Sequence, residues 1–331
     1  MFGHETWNRL TKWLLIPTLI LTFIPVLFAQ EDEVVATLMR MEGVVQVLQA
    51  KAPAPVKGRN GLLLKAGDTV ITEKEARATI KFRDGSEIRL FPSTNFQVES
   101  KETGGGDRFF KMNLFMKAGS FWGNFVKQRQ IAQVGSPTAT IGIKGTTLRM
   151  VDRDGQARVA LTEGLIEVKN DNTTVEVQPG KRLTTFTRTD DLTKKLTDIP
   201  YRLDLKSEKQ KLEFAGGQPE SVFVSVQLVD IKSGGAVTRP GLVYMRSNYD
   251  RITYPVKIAL DQRGFARVAL KIAPPEAADA ALNGSVYVWA VIDQEDADDT
   301  SEGRILFKIP VQTGKERVKV DAKTGSGKKV K

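Results

Sequence analysis

The sequence predicts an all-β protein of two antiparallel domains, the first a rolled sheet and the second a two-sheet sandwich. Three observations carry that expectation. Apolar and polar residues alternate over short stretches, the period of a strand with one buried face, and no long segment has a helical period. Tight-turn dipeptides, Asp84-Gly85 and Asp154-Gly155, stand between such stretches. A chain of 331 residues with 41% hydrophobic content can bury more than one core.

At the N-terminus, Arg9 and Lys12 precede an apolar run over residues 13–28, and Ala29 supplies a small residue before Gln30, Glu31 and Asp32. This is the pattern of an export signal, with cleavage expected after Ala29. Pro17 and Pro25 interrupt the run, which leaves residues 1–29 a signal peptide or, as the alternative, a retained membrane anchor. Either way the remainder is expected outside the cytoplasm, in the periplasm.

Residues 34–186 are expected to form the first domain. Residues 44–48 open it, and 78–82 with 87–91 make a hairpin across Asp84-Gly85, whose glycine accepts positive φ. The same device joins 147–151 to 157–161 at Asp154-Gly155, and Asp171-Asn172 separates 165–168 from 175–177. Strands joined by tight turns form a meander that must roll or pair its sheets to hide one face. The polar segment 187–214 reads as a linker. Strands recur at 222–228, 242–245, 256–260, 266–270, 285–292 and 305–309, enough for a two-sheet sandwich over 215–312.

Two phrases in the first domain carry a family likeness. The first is Gly67-Asp68-Thr69-Val70, followed by residues 76–90 around Asp84-Gly85-Ser86. The second is Pro137-Thr138-Ala139-Thr140-Ile141-Gly142-Ile143-Lys144-Gly145-Thr146, continuing through 159–168 to Pro179-Gly180. Together they resemble the FecR domain. The resemblance implies an extracytoplasmic, non-catalytic β module that in iron-uptake regulators meets an outer-membrane receptor and relays a signal to a sigma factor. Those regulators carry a folded cytoplasmic domain before the membrane, whereas only residues 1–12 precede the apolar run here, so direct sigma-factor control is not expected. Further on, Tyr287-Val288-Trp289-Ala290-Val291-Ile292-Asp293, an acidic turn and a last strand resemble the closing hairpin of immunoglobulin-like modules.

Composition removes many chemistries. There is no cysteine, and the single histidine, His4, lies before the apolar run. A mature chain without either lacks thiolate nucleophiles, the commonest general base and the commonest metal ligands. No cofactor is expected. Glycine and lysine in 141–147 stand in the wrong order for a phosphate loop, so a strand and turn is the reading there.

Three groups remain as candidates. The acids Asp293, Asp296, Asp298 and Asp299 supply oxygen ligands suited to calcium, although their spacing is not that of an EF-hand and a solvated turn competes. Phe121, Trp122 and Phe125 with Lys127 and Arg129 form either an exposed partner-binding face or part of a core. The basic tail 313–331, with Lys328, Lys329 and Lys331, suits an anionic surface or a solvated, disordered end. The expected protein is a non-catalytic binding or scaffold component of the cell envelope. Its partner is an envelope protein or peptidoglycan, with possible inner-membrane association through the N-terminal segment and no nucleic acid. The alternatives are a signalling component acting through another membrane protein, and a carbohydrate-processing enzyme whose carboxylate pair no motif singles out among 39 acids.

Overall fold

Alternation of inward and outward side chains is realised in a computed structural model that describes residues 34–103, 109–127, 132–276, 279, 282–294, 298–310, 319–320 and 327–328. The chain divides into Met1–Asp32 and Glu33–Lys331. The first unit lies outside the described residues, as does the export-signal expectation; everything below belongs to the second.

The first domain contains β1 (Val34–Glu42), β2 (Val45–Leu48), β3 (Val56–Lys57), β4 (Leu63–Lys65), β5 (Thr69–Thr72), β6 (Arg77–Phe82), β7 (Glu87–Leu90), β8 (Thr94–Thr103) and β9 (Phe109–Asn124). It continues with β10 (Ala132–Gly135), β11 (Thr140–Ile143), β12 (Thr147–Arg153), β13 (Gln156–Glu163), β14 (Ile166–Lys169), β15 (Thr174–Val177), β16 (Lys181–Phe186) and β17 (Leu196–Asp198). Hydrogen bonding orders them in two sheets. Sheet A runs β4-β1-β6-β7-β9-β12-β13-β16-β17. Sheet B runs β3-β2-β5-β8-β9-β10-β11-β14-β15, with β10 parallel to β9.

Strand β9 belongs to both sheets and is where the roll turns. Residues 109–118 pair with β8, and 119–124 pair with β7 and β12. Gly119 sits at the crease with φ of +122°, and a Cβ there would stand 2.4 Å from Thr94 Oγ1. Only glycine meets both conditions. The Asp154-Gly155 turn has φ of 51° and 73°, the pair of positive values of a type I′ hairpin.

Between the sheets, Ile80, Ile88, Leu90, Phe121, Met150, Val159 and Leu183 interdigitate in one core. Each fully buried apolar side chain contributes about 1.5–3 kcal/mol through removal from water. Phe121 packs edge-on to Phe96, with centroids 5.4 Å apart, and Phe125 joins the same core. These two aromatics are therefore core residues and form no exposed docking face.

Residues 187–214 differ from the expected linker. Leu192–Lys195 forms a 3-10 turn capped by Asp191, and β17 adds to the edge of sheet A beside β16. Ile199 and Leu203 are buried. Tyr201-Arg202-Leu203-Asp204-Leu205-Lys206 has a strand's alternation, and its charges sit on the outward positions. The chain passes from one domain to the other within a few residues of Pro200.

The second domain comprises β18 (Tyr201–Ser207), β19 (Glu220–Asp230), β20 (Gly241–Ser247), β21 (Ile252–Thr253), β22 (Lys257–Leu260), β23 (Phe265–Ile272), β24 (Ser285–Ile292), β25 (Thr300–Ser301) and β26 (Gly303–Lys308). Sheet C is ordered β21-β23-β19-β18-β25 and sheet D β22-β20-β24-β26. Val224, Val226, Met245, Val288, Ala290 and Phe307 fill the space between them, so the expected two-sheet sandwich is present. In the tail, the described backbone pairs Lys319–Val320 with Gly327–Lys328. Lys329, Lys331 and the Lys328 side chain lie outside the described residues.

Candidate functional site

The acidic loop and Trp122 meet at a junction between the domains. Register sets Thr79, Arg89, Trp122, Arg149, Ala160 and Arg182 side by side in one transverse row of sheet A, on the face away from its core. Facing them are sheet D residues Tyr244, Arg246, Lys257, Trp289 and Val291 and the loop that follows β24.

Asp293 is 0% exposed and accepts from Arg89 Nε at 2.8 Å and Nη2 at 3.1 Å. Arg77 and Lys257 each stand 3.3 Å from its Oδ2. Burial alone would raise the Asp293 carboxyl, but the hydrogen bond and charge of Arg89, with Arg77 and Lys257, hold it below the usual carboxylate range. Arg89, 1% exposed, also reaches Glu42 at 3.1 Å and lies 4.1 Å over the Tyr244 ring. Arg149 donates to the carbonyl oxygens of Ile292 and Gln294 and lies over Phe91. Burial lowers its guanidinium to about 10, which still leaves it cationic at neutral pH.

Asp298 pairs with Arg158 at 3.0 Å and Arg182 at 3.3 Å, and Asp299 with Arg239 at 2.8 Å. Asp293, Asp298 and Asp299 point to separate arginines, and among the described residues no three acids converge as a metal site. Asp296 lies outside the described residues.

Trp122 is 3% exposed, packs with Phe91 and Val291, and donates its Nε1 hydrogen to Glu302 Oε2 at 3.0 Å. Arg246 is held between the rings of Trp122 and Trp289, 5.1 and 4.5 Å from their centroids. Trp122 is thus an interdomain contact and not an exposed platform. Lys127 is exposed, and Arg129 lies outside the described residues. A local signal for the junction exists in Ile88-Arg89-Leu90 and Leu148-Arg149-Met150, where an arginine sits at an outward position of a central strand.

A groove that the sequence reading did not single out lies on the outer face of sheet B. Two adjoining cavities of ≈450 and ≈460 Å³ share Gln133, Thr140 and Lys169. Thr140 and Gly142, the outward residues of β11, leave a channel between Gln133 on β10 and Glu167 and Lys169 on β14. Leu165 and Lys144 mark one end; the turn before β11 and the Arg188–Asp171 ion pair, at 2.7 Å, mark the other.

The turn is built from beneath. Buried Asp152 on β12 accepts from Thr138 N at 3.1 Å and from Thr138 Oγ1 at 3.0 Å, and Ser136 Oγ donates to Ala139 O. Asp152→Ala leaves the Thr138 amide and hydroxyl without these acceptors and is expected to cost about 1–3 kcal/mol. A lower urea midpoint, with the rest of the β spectrum retained below the transition, checks it.

Glu167 and Glu176 are cross-strand neighbours at the groove. Both are exposed, on an open pleated surface and not at the floor of a deep cleft.

The family model described as FecR protein matches residues 68–167, which span β5 to β13 and the first two residues of β14. A candidate anti-sigma factor from Parabacteroides distasonis is similar at 14% identity and a TM-score of 0.32, over 37% of this chain and 56% of its own. A β-glucuronidase of glycoside hydrolase family 2 is similar at 10% identity and a TM-score of 0.25, over 64% of this chain and 20% of its own. A family 2 member from Bacteroides cellulosilyticus gives 9% and 0.26, over 83% and 29%. The chain therefore spans little more than half the length of the first and under a third of the others. No curated protein matches.

Proposed function

We propose that this FecR-domain protein is a non-catalytic binding component of a signalling apparatus in the bacterial envelope, taking an extended segment of a protein partner along the groove over β11. The observation that carries the reading is the channel itself. Its floor is the small outward pair Thr140 and Gly142, its walls alternate Glu167 and Lys169 along β14, and Gln133 offers an amide from the other side. Groups of both charge signs beside an amide suit a polypeptide backbone with mixed side chains.

From Leu165 to Asp171 the channel is about 20 Å long at the rise of a strand, room for roughly six extended residues. Export rests on Arg9, Lys12 and the apolar run after them, and the partner class on the resemblance to envelope regulators.

The test is mild cross-linking in whole envelopes, with Thr140→Arg and Lys169→Glu compared against the unaltered protein. Both positions lie on the surface, so stability is expected to change by less than about 0.5 kcal/mol, while capture of the partner falls at least about tenfold, 1.4 kcal/mol in binding. Undiminished capture by both variants would remove the groove from the proposal. Co-sedimentation with peptidoglycan that survives both substitutions would move binding to another surface.

A further inference from the structure

Sheet D meets the first domain, which leaves the outer face of sheet C to solvent. On that face Phe223 stands at an outward position of β19, between β23 and β18. At 55% it is the most exposed large apolar side chain among the described residues. Its outward neighbours Ser221 and Ser225 on the same strand, and Ala269 directly across on β23, are small, so the ring projects from the sheet as a knob.

Cations surround the ring. Lys206, Ser225 and Arg267 form one transverse row beside it, and Ser221 with Lys271 the row on its other side. At the strand spacing and rise of a β-sheet, these three basic residues each have their Cα within about 10 Å of that of Phe223. The guanidinium of Arg267 lies 4.5 Å over the ring itself. Arg202 adds a fourth cation further along β18. Against these four, the outward positions of β18, β19 and β23 hold one acid, Asp204, which is 3.6 Å from Arg202 and 3.7 Å from Lys206. Glu208, exposed beyond the end of β18, comes to 3.9 Å from Arg267. The whole chain has 49 basic residues to 39 acidic, so this face is far more basic than the sequence at large.

The pattern suits lipid better than protein. Lysine is depleted from protein interfaces, whereas the boundary between headgroups and acyl chains offers an apolar layer to a projecting ring and phosphates to the cations around it. A stacked sugar needs an open aromatic face, and Arg267 takes one.

We propose that the outer face of sheet C docks on an anionic lipid bilayer, with Phe223 entering the headgroup region and Lys206, Arg267 and Lys271 meeting lipid phosphates. The inference is independent of the groove over β11. With sheet C on the bilayer, sheet D carries the first domain on the opposite side of the sandwich, and the groove is held off the membrane surface.

The full-length chain has no cysteine, so a single dye can be placed at will. Ser221→Cys, exposed on β19 two residues from Phe223, carries an environment-sensitive fluorophore, and Lys57→Cys, exposed on β3 of the first domain, carries the same one as a control. Each is titrated with vesicles of phosphatidylcholine alone and of phosphatidylcholine with one-third phosphatidylglycerol. The dye at 221 reports this face, whatever the apolar run or the basic tail does on its own.

Expected is a blue shift at 221 with the mixed vesicles, absent with phosphatidylcholine alone and lost in about 1 M salt, where the Debye length is about 3 Å. The dye at 57 should keep its aqueous emission. Arg267→Gln with Lys271→Gln should raise the lipid concentration at half-response about 25-fold, about fivefold for each cation, and Phe223→Ser about tenfold. Arg267→Lys with Lys271→Arg keeps both charges and should respond as the unaltered protein does. Should a variant melt early, the salt dependence of the unaltered chain gives the same readout. A dye at 221 that stays in water while the protein sediments with mixed vesicles, an equal response on phosphatidylcholine alone, or a response indifferent to the double neutralisation overturns the proposal. A response to soluble polyglutamate without vesicles would assign the face to an acidic polypeptide and overturn it as well.

Discussion

Asp293→Ala is expected to lower the stability of the second unit by about 3–5 kcal/mol, the cost of leaving a buried cation without its partner. The loss is large because the substitution removes the one acid that Arg89, Arg77 and Lys257 share. Glu42 remains against Arg89 and Lys257 but is partly exposed and cannot balance three cations. Calorimetry is the check, with a fall in the melting temperature on the order of 10 °C. The double change Asp293→Leu with Arg89→Met should recover part of the loss, because removing both charges also removes their desolvation. If Asp293→Ala melts with the unaltered protein, the junction is not held by this pair.

The same carboxyl sets a pH limit. Its folded value is depressed, so the stability it contributes is present above the ordinary carboxylate range and lost as pH falls through the depressed value. Acid loosening that is blunted in Asp293→Ala is the corresponding signature.

Trp122→Ala should cost about 3–5 kcal/mol, as expected for deleting a buried indole that its surroundings cannot refill. Phe91 and Val291 lose their common neighbour, Arg246 loses one of its two stacking faces, and Glu302 Oε2 loses its donor. Trp122→Phe keeps most of the packing and drops the hydrogen bond, so its loss should be smaller by at least half. Urea unfolding distinguishes the two. A Trp122→Ala protein with an unchanged midpoint that no longer captures a partner would return this residue to the docking face that the sequence alone allowed.

Much of the fold was legible because its signals are local. Ile80 and Ile88 alternate with polar neighbours at period two, and Asp154-Gly155 supplies the two positive φ values of its turn. The segment around Leu203 and Leu205 escaped because its intervening charges resemble a linker's, and the pairing with β19 that makes it a strand is supplied by residues about twenty positions away. The groove escaped for a related reason. Thr140 and Gly142 are unremarkable in sequence, and they become a channel floor only when β10 and β14 are laid on either side.

By itself the sequence determined an all-β chain, the turns between its strands and the phrases that resemble the FecR domain, since each depends on residues a few positions apart. Tertiary structure alone decided that Asp293 and Asp298 neutralise arginines of the first domain and that Trp122 is covered. An outward arginine or carboxylate has the same period whether it meets water or another sheet, and only the docking of sheet D on sheet A removes the water and turns those charges into a junction.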